Sequence, residues 1–446
     1  MRYAIWNDFL SVDVESIERP RDEAEVCAVI ARARRQGKHV KPIGAGHSFN
    51  DLSLNEDILV DLRELSRILE LDPETRTVRV QGGMPLHDLV FALERAGLAL
   101  ANIGAWTEQT IAGVISTATH GTSGRYRKTL IESVRALRIV DGTGEARVLE
   151  GEALRRITLG YFGIITEVTL VCEPLFFVRQ HKRVIDGADA IARVDEFTSA
   201  SDFVDLRWTG TRSKIIVGAW EITEETPTRR DRVARRLEGI RIGALNRLLA
   251  VIRTSAIPRR ARARFFGALG RAYVRFGRGF AHEAVWHDGL TFNSLGVAAP
   301  HEERELALPR ERAADCLTAA RAMMMEDPAS ASLEIHVRFS PAIDVELAPN
   351  HQRETVWFNI NALDPSGNPA IVDRLCSLAL EHGARPHWAK VIPADTPALA
   401  KLYGESLTRW EEARRAFDPD GLFLNDYYHR YIDLSPRSLP EWAERE

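Results

Sequence analysis

The chain has 446 residues, 45% of them apolar and 27% charged, with a formal net charge of −4. This balance describes a soluble globular protein of about two or three domains, and its mild acidity gives no overall attraction to nucleic acid or an anionic membrane. Four scattered cysteines with no Cys-x-x-Cys argue against a zinc site or disulfide framework; with no apolar leader and no run long enough to span a membrane, a reducing cytoplasm is the expected compartment.

The first predicted helix covers Asp22–Gln36, with acidic residues in its first turn, arginines in its last and Gly37 as the stop. The strand Lys38–Ile43 follows and opens into Lys41–Asn50, read as Lys-Pro-Ile-Gly-Ala-Gly-His-Ser-Phe-Asn. Gly44 and Gly46 let backbone approach a ligand closely, and successive amides in such a turn suit a pyrophosphate. The motif is neither Gly-x-Gly-x-x-Gly nor a Walker loop, and taken alone it is a weak signal that more often marks only a tight turn. Ile58–Leu62 reads as a buried strand. Thr77–Gln81 is a strand that reaches a helix from Pro85 through Gly82-Gly83, a junction that fits a tight turn as well as a ligand contact. Asn102–Ser123 is dense in small and hydroxylated residues: either a phosphate- and ring-binding stretch or a small-residue helix packed on a sheet. Glu132–Val148 is a predicted hairpin, and Leu159–Val171 a glycine turn feeding a β-branched strand. The first unit ends near Cys172–Pro174.

Phe203–Trp208 and Lys214–Trp220 pattern as strands of an antiparallel sheet. The stretch 229–280 reads as helical and arginine-rich, a solvated inserted arm or a docking surface. In Leu333–Phe339, Leu333, Ile335, Val337 and Phe339 share one face, with Glu334, His336 and Arg338 on the other. In Thr355–Asn361, Trp357, Asn359 and Asn361 oppose Val356, Phe358 and Ile360. Two such strands can present His, Arg and two Asn to one surface, either a polar-ligand wall or a solvent face. Arg385-Pro-His-Trp-Ala-Lys390 is compact and stiffened by Pro386, and Phe417–Asp426 is a turn leading to an aromatic ending.

Gly44-Ala-Gly-His-Ser-Phe49, Ala112-Gly followed by Thr-His-Gly121, Arg385–Lys390 and Asp418-Pro with Phe-Leu-Asn425, in that order, resemble the aldonolactone and alditol oxidases among the vanillyl-alcohol-oxidase-type flavoproteins. The resemblance runs nearly end to end, apart from the arginine-rich middle. It implies an α+β, two-domain fold: a PCMH-type FAD-binding domain over 1–174, an antiparallel-sheet substrate domain over 175–384, and a segment 385–446 that packs back on the flavin domain. It implies FAD bonded covalently to His47. Pro42, Ile43, Gly44, Ala45, Gly46 and Ser48 would hold the pyrophosphate. Gly104, Thr110, Gly113, Val114, Ile115, Ser116, Thr117, His120, Gly163, Ile165 and Lys390 would contact the cofactor.

The implied reaction is oxidation of a carbinol carbon, with hydride passing to flavin N5 and a base taking the hydroxyl proton. Electrons then go to oxygen, giving hydrogen peroxide, or to another acceptor. Arg338 and Lys390 match positions near the substrate oxygen and flavin, and Asn361 a substrate contact; Asn359 shares its face. The sequence departs from the family at His336, where the pattern is Glu-x-Arg. A histidine there could serve as base near neutral pH, with Arg338 disfavouring its protonated form. Glu334, on the same face, could partly replace the carboxylate. Ala105 stands where polyol-oxidising relatives carry serine, and Gly104 is the small residue that opens oxygen's approach. The expected partners are a polar alcohol and an electron acceptor, in a monomer or small oligomer with no nucleic acid and no resident metal. Competing readings are an oxidase of another sugar-like or secondary-metabolite alcohol, and a flavin-binding protein without turnover.

Overall fold

The computed structural model describes residues 1–209, 213–233, 284–287, 301–362 and 369–434, with isolated positions at 237, 240, 244 and 247. Most of the arginine-rich stretch 229–280 therefore lies outside the described residues. The first helix runs Glu23–Gln36; Asp22 caps it by accepting from Glu25 N, and Gly37 ends it at φ 63°. Its stripe of Val26, Val29, Ile30 and Ala33 is buried, as the periodicity predicts.

Two larger sheets form in the N-terminal part, beside smaller two-stranded ones. Ser16–Glu18, Ile58–Asp61 and Val40–Ile43 form a parallel three-stranded sheet with the wholly buried Ile58–Asp61 at its centre. Ala146–Glu150, Val134–Val140, Ile164–Val171, Thr77–Gln81 and Ile68–Asp72 form an antiparallel five-stranded sheet in that order. Within Asn102–Ser123 only Ile111–Ser116 is helical, so a small-residue helix accounts for just six of its residues.

The second part is an eight-stranded antiparallel sheet. In spatial order it runs Ala284–His287, Phe177–Asp186, Lys214–Thr223, Phe203–Thr209, Leu333–Ser340, Thr355–Ala362, Glu302–Pro309 and Arg385–Pro386. The sequence reading assigns no element to Phe177–Asp186, Glu302–Pro309 or the helix Arg310–Glu326. The apolar face of the sheet, including Ile335, Val337, Phe358 and Ile360, shares one core with Cys316 and Leu317 of that helix and with Leu375 and Ala379 of the helix Pro369–Glu381. The other core joins Val26, Val60, Val80 and Ile139 to Trp388, Trp410, Phe423 and Tyr427, so the chain's last quarter completes the interior of its first.

The opposite, polar face of the large sheet is also covered. Asp205, Glu305, His336, Arg338 and Asn359 are all buried. Part of the cover is the chain after Thr119: Ser123 N donates to Phe339 O at 2.8 Å, Phe339 N to Thr122 Oγ1 at 3.2 Å, and Thr122 Oγ1 to Val204 O. A buried polar face with its backbone ends stitched to another unit is a wall between two parts, and the solvent-face reading of these strands falls.

Candidate active site

The strand Val40–Ile43 delivers the chain into the Gly44–Asn50 turn. Gly46 sits at φ 67°, in the left-handed region. A Cβ on Gly44 would lie 2.2 Å from Thr110 Oγ1, so the turn presses against the start of the short helix. Thr110 caps that helix by accepting from Gly113 N, and Thr117 Oγ1 donates to Gly113 O at 3.1 Å. Val114 and Ile115 point into the core, which leaves only their backbone for a ligand. Ser116 Oγ accepts from Thr158 Oγ1 at 3.0 Å. Gly163 takes φ 140°, Ile165 is buried on the next strand, and Pro42, Ala45 and Ser48 are half-buried around the turn.

His47 is packed against two indoles that also touch each other, its ring 5.3 Å from Trp6 and 5.0 Å from Trp106. Burial, and then the nearby Lys390 charge, push its pKa down to about 4. The imidazole is therefore neutral at physiological pH, with a free lone pair. The turn is sewn to Arg385–Lys390, the other compact motif. Phe49 N donates to Ala389 O at 2.7 Å, and Asn50 Nδ2 donates to Trp388 O and Lys390 O, each at 2.7 Å. Lys390 Nζ lies 4.3 Å from the centre of the Phe49 ring and pairs with Glu303.

The register of the large sheet builds the facing wall. Glu334 lies opposite Asn361, which lies opposite Glu303; His336 lies opposite Asn359, which lies opposite Glu305; Arg338 lies opposite Trp357. The predicted grouping of Glu334, His336, Arg338, Asn359 and Asn361 therefore stands together. Glu303 and Glu305 join it from a strand the sequence reading does not contain, and Asp205 and Arg207 from the other side. Arg338 pairs with Glu305 and donates to His120 O at 3.2 Å. His120 stacks on Trp357, ring centres 3.6 Å apart, with Nε2 3.4 Å from Glu305. Asn359 Nδ2 donates to Glu303. Ala105 and Gly104 lie on the Asn102–Trp106 loop; a Cβ on Gly104 would come within 2.7 Å of Thr119 Cγ2, so this position holds nothing larger without movement.

The charges on this wall interlock. Burial raises the Glu305 carboxyl, but Arg338 and His120 outweigh it and hold it well below the usual carboxylate range. Lys390 does the same for Glu303 against burial. Burial raises Glu334, which makes no hydrogen bond among the described residues. Burial first, then Arg207, bring His336 down to about 4, with Arg338 a lesser contributor than the sequence suggests. His387 is driven by burial to about 3. Ligand atoms of His120, Glu305 and His387 lie within 4.8 Å of one another, a grouping with no trace in the cysteine pattern; Arg338 already answers the Glu305 charge.

Several polar atoms on both walls lack partners among the described residues: the indole nitrogens of Trp6 and Trp106 beside His47, and Arg338 Nε, Asn359 Oδ1 and Asn361 Oδ1 on the sheet face. Orphaned donors and acceptors on facing walls, with a glycine turn between them, suit a polar aromatic group and a hydroxylated ligand. These residues fit FAD.

Comparison with known proteins agrees. Residues 15–150 match the FAD binding domain family, and residues 168–431, more than half of the chain, match the D-arabinono-1,4-lactone oxidase family. The L-gulono-1,4-lactone dehydrogenase of Mycobacterium tuberculosis is 28% identical, over 96% of this chain and 99% of its own. The mouse L-gulonolactone oxidase is 27% identical, over 96% and 98%. Among solved structures, cholesterol oxidase from Brevibacterium sterolicum superposes with a TM-score of 0.74 at 15% identity, covering 97% of this chain and 96% of that one. Fold and site together define an FAD-dependent oxidoreductase with the PCMH-type, vanillyl-alcohol-oxidase-like architecture. The chain belongs to the D-arabinono-1,4-lactone oxidase family.

Proposed function

We propose that this protein oxidises a carbinol carbon of a sugar-derived alcohol, an aldono-1,4-lactone or an alditol, with FAD held covalently through His47. The carrying observation is the three hydrogen bonds that tie Phe49 and Asn50 to Trp388–Lys390, because they set His47 and the Lys390 cation beside the buried polar wall. When bound, FAD supplies the two-electron acceptor at N5 for the hydride of the substrate C–H bond.

The chain's own residues do the rest. The neutral His47 ring offers a nucleophilic lone pair for a bond to the flavin methyl, and the indoles of Trp6 and Trp106 keep it dry. Arg338 and Lys390 are fixed cations, one anchored by buried Glu305 and the other by half-buried Glu303, and stabilise negative charge that develops on the substrate oxygen and on the cofactor. His336, neutral at working pH, accepts the hydroxyl proton. Glu334, Asn359 and Asn361 offer acceptors to the substrate's other hydroxyls. Gly104 keeps its position small, which supports oxygen as the acceptor and hydrogen peroxide as product. Three of the four free cysteines are buried, and we place the protein in a reducing compartment such as the cytoplasm. No helix among the described residues is long and apolar enough to cross a membrane.

A panel of polyols and lactones added anaerobically tests the reading. One of them should bleach the flavin absorbance, and admitted air should restore it. Yellow protein that no member bleaches would point to an alcohol of another class or to binding without turnover; bleached flavin that air restores slowly and a quinone quickly would make the enzyme a dehydrogenase.

A further inference from the structure

His336 has a partner that its own strand does not supply. Its Nε2 lies 2.8 Å from Asp205 Oδ2, on the neighbouring strand Phe203–Thr209. Arg207 Nε donates to the same oxygen at 2.8 Å. The other oxygen occupies space left by a missing side chain: Gly218, paired with Asp205 across the strands, would place a Cβ 2.3 Å from Asp205 Oδ1. Asp205 is 3% exposed and His336 8%, so water does not compete for this contact. Nδ1 of His336 makes no hydrogen bond among the described residues.

These contacts determine where the imidazole proton sits. Burial raises the Asp205 carboxyl, but Arg207 and His336 hold it below its ordinary value, so it is ionised and accepts only. The nitrogen facing it must carry hydrogen, and the neutral ring then has its lone pair on Nδ1. We infer that Asp205 is a positioning residue that fixes His336 as the Nε2–H tautomer and leaves Nδ1 to accept the proton of the substrate hydroxyl. The inference rests on His336 being the base. In that step the substrate O–H bond breaks, an Nδ1–H bond forms, and the resulting imidazolium faces the Asp205 carboxylate; the proton leaves to solvent when the ring is regenerated. The other charged groups around His336 are Glu334 and Arg338 on its own strand, Arg207 beside Asp205, Glu303 and Glu305 two strands away, and His120 from the N-terminal part. An Asp–His pair thus stands where relatives of the resemblance carry a single glutamate, with the carboxylate moved one strand over.

The test uses holoprotein labelled with nitrogen-15 histidine and a long-range proton–nitrogen correlation, the His336 signal being identified by its loss in His336→Gln. The wild type should show Nε2 protonated and Nδ1 bare. In Asp205→Asn the amide can donate to Nε2, so the tautomer should reverse, and anaerobic flavin reduction should slow by about 100-fold or more with little change in substrate affinity. Gly218→Ala, which crowds Asp205 without removing it, should slow reduction in the same direction and covers the case in which Asp205→Asn does not fold. A wild-type His336 protonated on Nδ1, or an Asp205→Asn enzyme reduced at the wild-type rate, would overturn the inference. If no alcohol bleaches the wild-type flavin, the functional reading fails, and the tautomer signal still decides the role of Asp205.

Discussion

Lys390 shows how much one side chain is asked to do. It pairs with half-buried Glu303, lies against Phe49, helps keep His47 neutral, and has its backbone carbonyl bound by Asn50. Lys390→Met should slow flavin reduction by about 100-fold, the usual loss when one fixed electrostatic contact is removed. It also strands the Glu303 carboxylate, at a cost to folding of about 3 kcal/mol. The two effects separate in Lys390→Met with Glu303→Gln, which should regain the melting temperature without regaining the rate. Recovery of both would make Lys390 a structural residue only. Lys390, His47 and Arg338 are legible in the sequence because each sits in a short local motif. Asp205 is not: it lies in Phe-Val-Asp-Leu-Arg-Trp, where it reads as one polar position of an ordinary alternating strand. Only the register with Leu333–Ser340 brings it to His336.

At the level of elements, the strand-to-turn junction at Gly44 is a tight contact within the proposed cofactor site. Gly44→Ala would drive a methyl into Thr110 Oγ1, and the helix cap would have to move. Such overpacking typically costs about 1–3 kcal/mol, and it falls on the surface we propose for the pyrophosphate. FAD content per purified chain should therefore drop well below stoichiometric; full loading would show that the turn is more plastic than its packing implies. The two strands Leu333–Ser340 and Thr355–Ala362 were open to sequence reasoning because alternation separates an apolar from a polar face. The strand between Thr355–Ala362 and Arg385–Pro386 was not. Nothing local in Glu302-Glu303-Arg304-Glu305 says that Glu303 faces Asn361 and Lys390, or Glu305 faces Arg338. A buried charged strand is recognisable only when its counter-charges, distant in sequence, are known.

Across the whole molecule, titratable groups are buried where the two parts meet, and this ties stability to pH. His336 and His387 have folded pKa values of about 4 and 3, below their unfolded value of about 6.5. Below about pH 6.5 the unfolded chain takes up protons that the folded chain refuses, so stability falls, by up to about 1.4 kcal/mol per pH unit for each histidine. The depressed carboxylates Asp205, Glu303 and Glu305 act in the same direction at still lower pH. Denaturant midpoints measured between about pH 7.5 and about 5 should decline steadily, and a flat profile would mean that these histidines are wetter than the structure has them. The division into a flavin-binding part and a sheet part follows from patterning and resemblance. That Trp388, Trp410 and Phe423 complete the core around Val26 and Val80 is a tertiary fact no local pattern carries. We propose that the cofactor is tethered between the two walls at His47. The protein should be unfolded in acid, washed free of loose flavin and digested, and the peptide containing His47 weighed: it should carry the added mass of FAD, and the same peptide from His47→Ala should not. A wild-type peptide of unmodified mass, with all flavin in the wash, would contradict the account.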